Sequence, residues 1–190
     1  MAVPKLYQAV QASIAGPLHR QIRAHLAKVV PDEPSVHVLD VGCGVGDYAG
    51  VFERAAYRGI DLDAHYIAAA RRERHGSNAT FEVGDARALP FADGQFDYCI
   101  SVGLYHHLAD AAVVASLRDA LRVSAPGNVL VFDAIFPPRG NWIGYALRRL
   151  DRGKHVRFLP EYEGLLRSHF QPAEIRAERA GLLDYIFFRL

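Results

Sequence analysis

Residues 38–50, VLDVGCGVGDYAG, decide the fold of this chain. Val38, Leu39 and Val41 surround Asp40, a short apolar run typical of a buried strand. Three glycines then fall at alternate positions, Gly42, Gly44 and Gly46, and DYAGVFERA (47–55) is expected to open a helix. A strand, a glycine turn and a helix make the nucleotide-binding edge of doubly wound sheets. Glycine lets the backbone approach a ligand, and a helix N-terminus favours negative charge. The dinucleotide fingerprint spaces its glycines G-x-G-x-x-G, whereas here the spacing is G-x-G-x-G. Asp47 stands in the third position, where its carboxylate would repel a pyrophosphate. No Gly-Lys followed by Ser or Thr comes after, so the pattern excludes a P-loop too.

Working outward, the strand-then-helix unit recurs. YRGIDL (57–62), ATFEVGD (79–85), FDYCISVG (96–103) and NVLVFDAIF (128–136) read as strands. AHYIAAARRERHG (64–76) and DAAVVASLRDALRVSAPG (110–127) read as the helices between them. Such alternation implies right-handed crossovers and a mostly parallel sheet covered on both faces. Upstream, residues 5–30 carry Leu18, Ile22, Leu26 and Val29-Val30 near helical spacing, with an expected break at Gly16-Pro17 and an end before Pro31 and Pro34. Downstream, EYEGLLRSHF (161–170) is helical, and residues 173–181 and 182–190 read as two strands with no crossover helix, hence antiparallel.

The 190 residues are read as one domain. It divides into an N-terminal helical cap (1–34), a core (36–136), a variable segment (137–160) and a C-terminal helix and strand pair (161–190). Half the chain is hydrophobic and the formal net charge is +1, which gives no global argument for nucleic acid. Cys43 and Cys99 are isolated, which argues against a disulfide framework or a structural zinc site and fits a reducing cytoplasm. The N-terminal residues lack a basic region followed by a long apolar run, so no signal peptide is expected, and no metal site is expected.

VLDVGCGVG, GIDLD, VGDARALPF, FDYCISVGLYHHL and LRVSAPGNVLVFD, in that order, resemble the class I S-adenosylmethionine-dependent methyltransferases. The resemblance runs from about residue 36 to 136. It implies a Rossmann-like α/β fold: seven strands, mostly parallel with the last antiparallel, and helices on both faces. It also implies S-adenosyl-L-methionine as cofactor and S-adenosyl-L-homocysteine as product. Carried over by motif, Gly42, Cys43, Gly44 and Gly46 pass under the methionine portion and Asp40 helps hold its ammonium group. Asp61 accepts the ribose hydroxyls, Leu62 flanks the adenine, and Asp85 and Ala86 meet its edge. Val102 and Gly103 border the methionine side.

Methyl transfer from a sulfonium is an in-line displacement that relies chiefly on positioning. His106 and His107 follow the fourth strand, and an imidazole there can serve as a general base. Adjacent side chains diverge, so at most one of the two is expected to face the acceptor, with His106 favoured. The acceptor side is expected to involve Tyr7, Tyr105, Trp142, Tyr145 and Arg157. Residues 141–157 read as a helix with Trp142, Ile143, Ala146, Leu147 and Leu150 on one face and Arg148 and Arg149 on the other. Such a helix is either a lid over the site or a peripheral contact with an anionic membrane. The arginines suggest a small-molecule acceptor bearing a negative group, free or lipid-linked. With no Asn-Pro-Pro-Tyr after the fourth strand, nucleic acid is disfavoured. A non-methylating binder of the same cofactor (a cyclase, an aminopropyl transferase or a sensor) is the rival reading.

Overall fold

The computed structural model describes residues 5–74, 78–150 and 153–190, with backbone alone over 5–15. In chain order the elements are α1 (Lys5–Val29), β1 (His37–Val41), β2 (Ala56–Asp61), α2 (Ala64–Glu73), β3 (Ala79–Val83) and β4 (Tyr98–Val102). They continue with α3 (Asp110–Val123), β5 (Val129–Ala134), α4 (Trp142–Arg149), α5 (Leu159–His169), β6 (Glu174–Ala180) and β7 (Leu183–Arg189). The strands form one sheet in the order β3-β2-β1-β4-β5-β7-β6. β1 to β5 are parallel, and β7 runs antiparallel to both β5 and β6. Order reverses between β1 and β4, the switch point outside whose strand ends ligands bind in such sheets. Among the described residues no helix is long and apolar enough to cross a membrane.

Strand alternation sorts the core onto two faces. Leu39 and Val41 of β1 join Cys99, Val131, Ile186 and Phe188 under α3 and α5. Val38 joins Ile100, Leu130, Phe132 and Phe187 under Ile22 and Leu26 of α1 and Ile67 of α2. Burying each such aliphatic side chain stabilises by about 1.5–3 kcal/mol. The glycine turn sits where β1 emerges between the two layers.

Two local readings change. Helix α1 runs unbroken through Pro17. Packing of Ile22, Leu26 and the following Val30, all buried, outweighs the local cost of the Gly-Pro step. Conversely, residues 47–55 form no α-helix and hold only a 3₁₀ turn at Ala49–Val51. The Asp32 carboxylate accepts the backbone N–H groups of Glu53 (3.3 Å), Arg54 (2.8 Å) and Ala55 (2.8 Å). Those donors, held by a side chain, cannot turn back to helix carbonyls, and the chain extends straight into β2. Asp63 caps α2, its carboxylate accepting from His65 N at 2.8 Å.

Candidate active site

Gly42, Gly44 and Gly46 all have positive φ (76°, 55° and 79°), which side chains other than glycine's adopt only under strain. Each glycine also meets a different spatial demand. A Cβ on Gly42 would lie 3.0 Å from Leu104, and one on Gly46 would lie 2.8 Å from the Phe81 ring. A Cβ on Gly44 would meet nothing within 4 Å, because it would point into open space. The turn is pinned to β2, with Gly42 N and Cys43 N donating to Ile60 O at 2.8 and 3.1 Å. Asp61 completes the fastening. Its Oδ2 accepts from Gly44 N and its Oδ1 from Asp63 N, both at 2.9 Å, so backbone fixes its carboxylate at the end of β2.

Asp40 lies beneath the turn, 1% exposed. Its Oδ2 accepts from the Tyr57 hydroxyl, while its Oδ1 is buried without a hydrogen-bond partner. Burial pushes its carboxyl up to about 7, helped by the nearby Asp61 and Asp47 charges and opposed by the Tyr57 bond. A buried acceptor with an empty valence suits a ligand that brings a donor, preferably a cation. Cys43 and Cys99 are both buried, and burial pushes their thiols up, so neither is poised as a nucleophile.

Above the turn opens a cavity of about 940 Å³. Its walls include Asp40, Gly42, Cys43, Gly44, Asp61, Leu62, Val102, Gly103, His106 and His107. His106 is buried in the 3₁₀ turn after β4 (Tyr105–His107), and its Nδ1 lies 2.7 Å from Asp133 Oδ1 on β5. Asp133, 2% exposed, also accepts from the Tyr162 hydroxyl of α5 at 3.0 Å. The contact with Asp133 holds the imidazole in one orientation. Gly153 packs against the ring face, where a Cβ would collide with it. His107 is exposed and stacks on His106 with ring centroids 4.1 Å apart.

Other expected residues lie elsewhere. Gly46 packs on Phe81 behind the turn. Asp85 and Ala86 are not among the cavity walls. The Asp85 carboxylate is held by Arg87 (2.6 Å), whose hydrogen bonds pull it down to about 2. Tyr105 is fully buried and no pocket wall, because the 3₁₀ turn aims its ring into the core under α3. Arg157 is buried as well, bound to Asp110 (2.7 Å) and to the carbonyls of Tyr105, Leu108 and His155. Trp142 and Tyr145 line a second cavity, and the side chain of Tyr7 lies outside the described residues, as do residues 151–152.

Helix α4 is turned over relative to its sequence reading. Arg148 is buried and donates to Ile135 O (3.3 Å) and Asp184 O (2.9 Å). Trp142, Ile143 and Leu150 are 81%, 62% and 67% exposed. The carbonyls of Ile135 and Asp184, the latter also accepting from Ile135 N at 3.4 Å, capture the guanidinium, and Gly144 lets the helix approach Leu182 O closely. Arg148 and Arg157 are therefore engaged with the protein, and of the other basic side chains read along 141–157 Arg149 and Lys154 are exposed. The cavity itself is acidic, with Asp40, Asp47, Asp61 and Asp133 in its walls. Sequence reasoning missed His19, Tyr48, Tyr66 and Asp133. His19 Nδ1 lies 2.6 Å from the Tyr48 hydroxyl, and both face the cavity. Spacing in α1 could have flagged His19, one residue from the buried stripe.

A family profile described as "Methyltransferase domain" matches residues 38–127. The chain is 32% identical over 146 residues to malonyl-[acyl-carrier protein] O-methyltransferase of Pectobacterium atrosepticum, covering 75% of this chain and 56% of that one. The chain belongs to the class I S-adenosylmethionine-dependent methyltransferase family. It is also 33% identical over 112 residues to a fatty-acid O-methyltransferase of Mycolicibacterium smegmatis, covering 57% of this chain and 40% of that one. The chain thus spans 56% and 40% of the length of these two curated relatives. The crystal structure of a S-adenosylmethionine-dependent methyltransferase from Methanosarcina mazei superposes with a TM-score of 0.68 at 20% identity, covering 87% of this chain and 95% of that one. That likeness establishes the methyltransferase fold. The family's cofactor suits the cavity on three observations: the unpartnered Asp40 Oδ1, the open space above Gly44, and the excess of carboxylates toward a ligand with two positive groups.

Proposed function

We propose that this chain transfers the methyl group of S-adenosylmethionine to an oxygen of a small-molecule acceptor, with His106 taking the acceptor's proton. One observation carries the reading: a buried His106–Asp133 pair lies in the wall of the cavity that holds the glycine turn. Asp40 and Asp61 would hold the ammonium and ribose ends, and Leu62 and Tyr66 would border the base. Bound there, the sulfonium would give its methyl group to the acceptor oxygen, the S–CH₃ bond breaking as the O–CH₃ bond forms, and the hydroxyl proton would pass to the His106 imidazole. Asp133 then stabilises the imidazolium, as an orienting carboxylate does behind any catalytic histidine. The names of both relatives specify O-methylation, which supports oxygen as the acceptor atom.

The test is transfer of labelled methyl to a panel of phenols, enols and alcohols, acceptors that carry the proton His106 would take. His106→Gln should lower turnover about 10²–10⁴-fold with S-adenosylhomocysteine affinity unchanged. Wild-type rates in that variant, or transfer to amines and thiols alone, would overturn the reading.

A further inference from the structure

Two polar side chains in the wall of the cofactor cavity have no part in the fastening of the glycine turn or in the chemistry at His106. His19 reaches the cavity from α1, and Tyr48 from the segment just after the turn. His19 Nδ1 and the Tyr48 hydroxyl lie 2.6 Å apart, and their ring centroids 5.8 Å apart. Tyr48 is buried and His19 half-buried. Burial holds the His19 imidazole below its usual range, although the Asp47 charge pulls it up. Burial and the Asp40 and Asp47 charges push the Tyr48 hydroxyl up. Both groups are therefore neutral near pH 7, and between them they carry two hydrogens, one on a ring nitrogen and one on the phenol oxygen. One hydrogen spans the 2.6 Å contact. The other finds no acceptor among the described residues, whichever ring nitrogen bears the imidazole proton.

Donors are scarce at this end of the cavity. Gly42 N and Cys43 N are taken by Ile60 O, and Gly44 N by Asp61. Asp40, Asp47 and Asp61 bring acceptors in excess. Arg23 adds positive charge behind the pair, its guanidinium carbon 5.9 Å from the centre of the Tyr48 ring and its Nη2 donating to Asp47 O at 2.9 Å. S-adenosylmethionine ends in an ammonium and a carboxylate on one carbon atom. With the ammonium at Asp40 Oδ1, the carboxylate must find its donors close by, and Tyr48 is near enough to Asp40 to be shifted by its charge. We propose that the His19–Tyr48 pair seats the carboxylate of the cofactor's amino-acid end, donating to it the hydrogen that their own contact leaves over. The inference rests on the placing of the cofactor in this cavity with its ammonium at Asp40, and adds the groups that meet the opposite charge. A bound cofactor then ties α1 to the segment that follows the glycine turn.

Calorimetry of the whole protein with two probes tests the assignment. One is S-adenosylhomocysteine, and the other is the same thioether decarboxylated, so that it ends in a primary amine. The double variant His19→Leu/Tyr48→Phe loses both hydrogens and keeps most of the bulk. The ratio of the two affinities should fall roughly 10–100-fold against the wild type, the loss expected when a charged acceptor loses its hydrogen bond. Affinity for the decarboxylated probe should stay within about threefold, which certifies the fold of the variant. His19→Phe/Tyr48→Phe, which keeps two rings in contact, replaces the first variant if that one unfolds, with the same expected ratio. An unchanged ratio overturns the proposal. Equal losses with both probes would mean that the pair only props α1, and no loss with either that the carboxylate sits elsewhere. S-adenosylhomocysteine that fails to bind the wild type overturns the placing of the cofactor, and this inference with it. No arm depends on turnover, so failure of the His106 mechanism is a separate result.

Discussion

The carboxyl of Asp40 titrates near 7 because burial withholds water from its charge. An unfolded chain would release that proton near 3.8, so the folded state binds the extra proton across the window between. Stability therefore falls as pH rises from about 4 to about 7. Asp40→Asn removes the charge and keeps an oxygen for Tyr57, so its stability advantage over the wild type should grow through that window. By pH 8 it should reach roughly 1–4 kcal/mol in chemical denaturation. A constant difference between pH 5 and pH 8 would refute the burial argument. The same variant should bind S-adenosylhomocysteine more weakly, since the ammonium loses its counter-charge. At His106 the chemistry was legible from the residue type and its place after a strand. Its partner was not. Asp133 stands in VLVFDA, a run that reads as pure core, and only the pairing of β4 with β5 brings it to the imidazole. Asp133→Asn should reduce methyl transfer about as much as His106→Gln, while Tyr162→Phe, which removes one donor, should cost less than tenfold. Equal losses in all three would make the cluster structural.

Among the elements, the glycine turn gives the sharpest contrast. Gly46→Ala would push a methyl group to 2.8 Å from Phe81 and should destabilise the fold by about 1–3 kcal/mol, read as a lower melting midpoint. Gly44→Ala has no such neighbour. It should fold with only the strain of its positive φ, about 1 kcal/mol, and should instead lose cofactor affinity, because its methyl group enters the cavity. If both variants lost only stability, Gly44 would not line the ligand. Strand identity and order were legible throughout, because short β-branched and apolar runs bounded by turn residues are too brief for helices. The expected helix at 47–55 was not legible as a turn, since the cause is a carboxylate fifteen or more residues upstream at Asp32. Helix α4 misled for a related reason. A helical wheel sorts apolar from charged, but the Ile135 and Asp184 carbonyls, which accept from the Arg148 guanidinium, made the charged side the inner one.

At the scale of the molecule, the cofactor cavity draws walls from both ends of the sequence. Leu18, His19 and Ile22 come from α1, and Leu183 and Tyr185 from β7. A ligand that binds only the folded state at a hundred times its Kd adds about 2.7 kcal/mol. Saturating S-adenosylhomocysteine should therefore raise the melting midpoint, and hydrogen exchange should slow in α1 around residues 18–22 and in β7 around 183–185 as well as in the glycine turn. Protection confined to residues 40–62 would mean that the two ends do not close on the ligand. The fold class was readable from β1 and its glycines because that unit is local. The partnership of α1 with β7 was not, because it depends on contacts across the whole length.

β5 is buried along all six residues and pairs on its outer side with β7, Leu130 opposite Arg189 and Val131 opposite Phe188. During synthesis on the ribosome, β4 and β5 emerge well before the segment that covers them. For that interval the most apolar strand of the protein presents an open row of amide and carbonyl groups, a template for another nascent chain. The hairpin of β6 and β7 then acts as the closing seam, and its outermost strand carries Glu174, Arg176, Glu178 and Arg179 rather than another apolar face. Weakening that seam would show first as low yield and dependence on chaperones, before any loss of affinity in the molecules that do complete it.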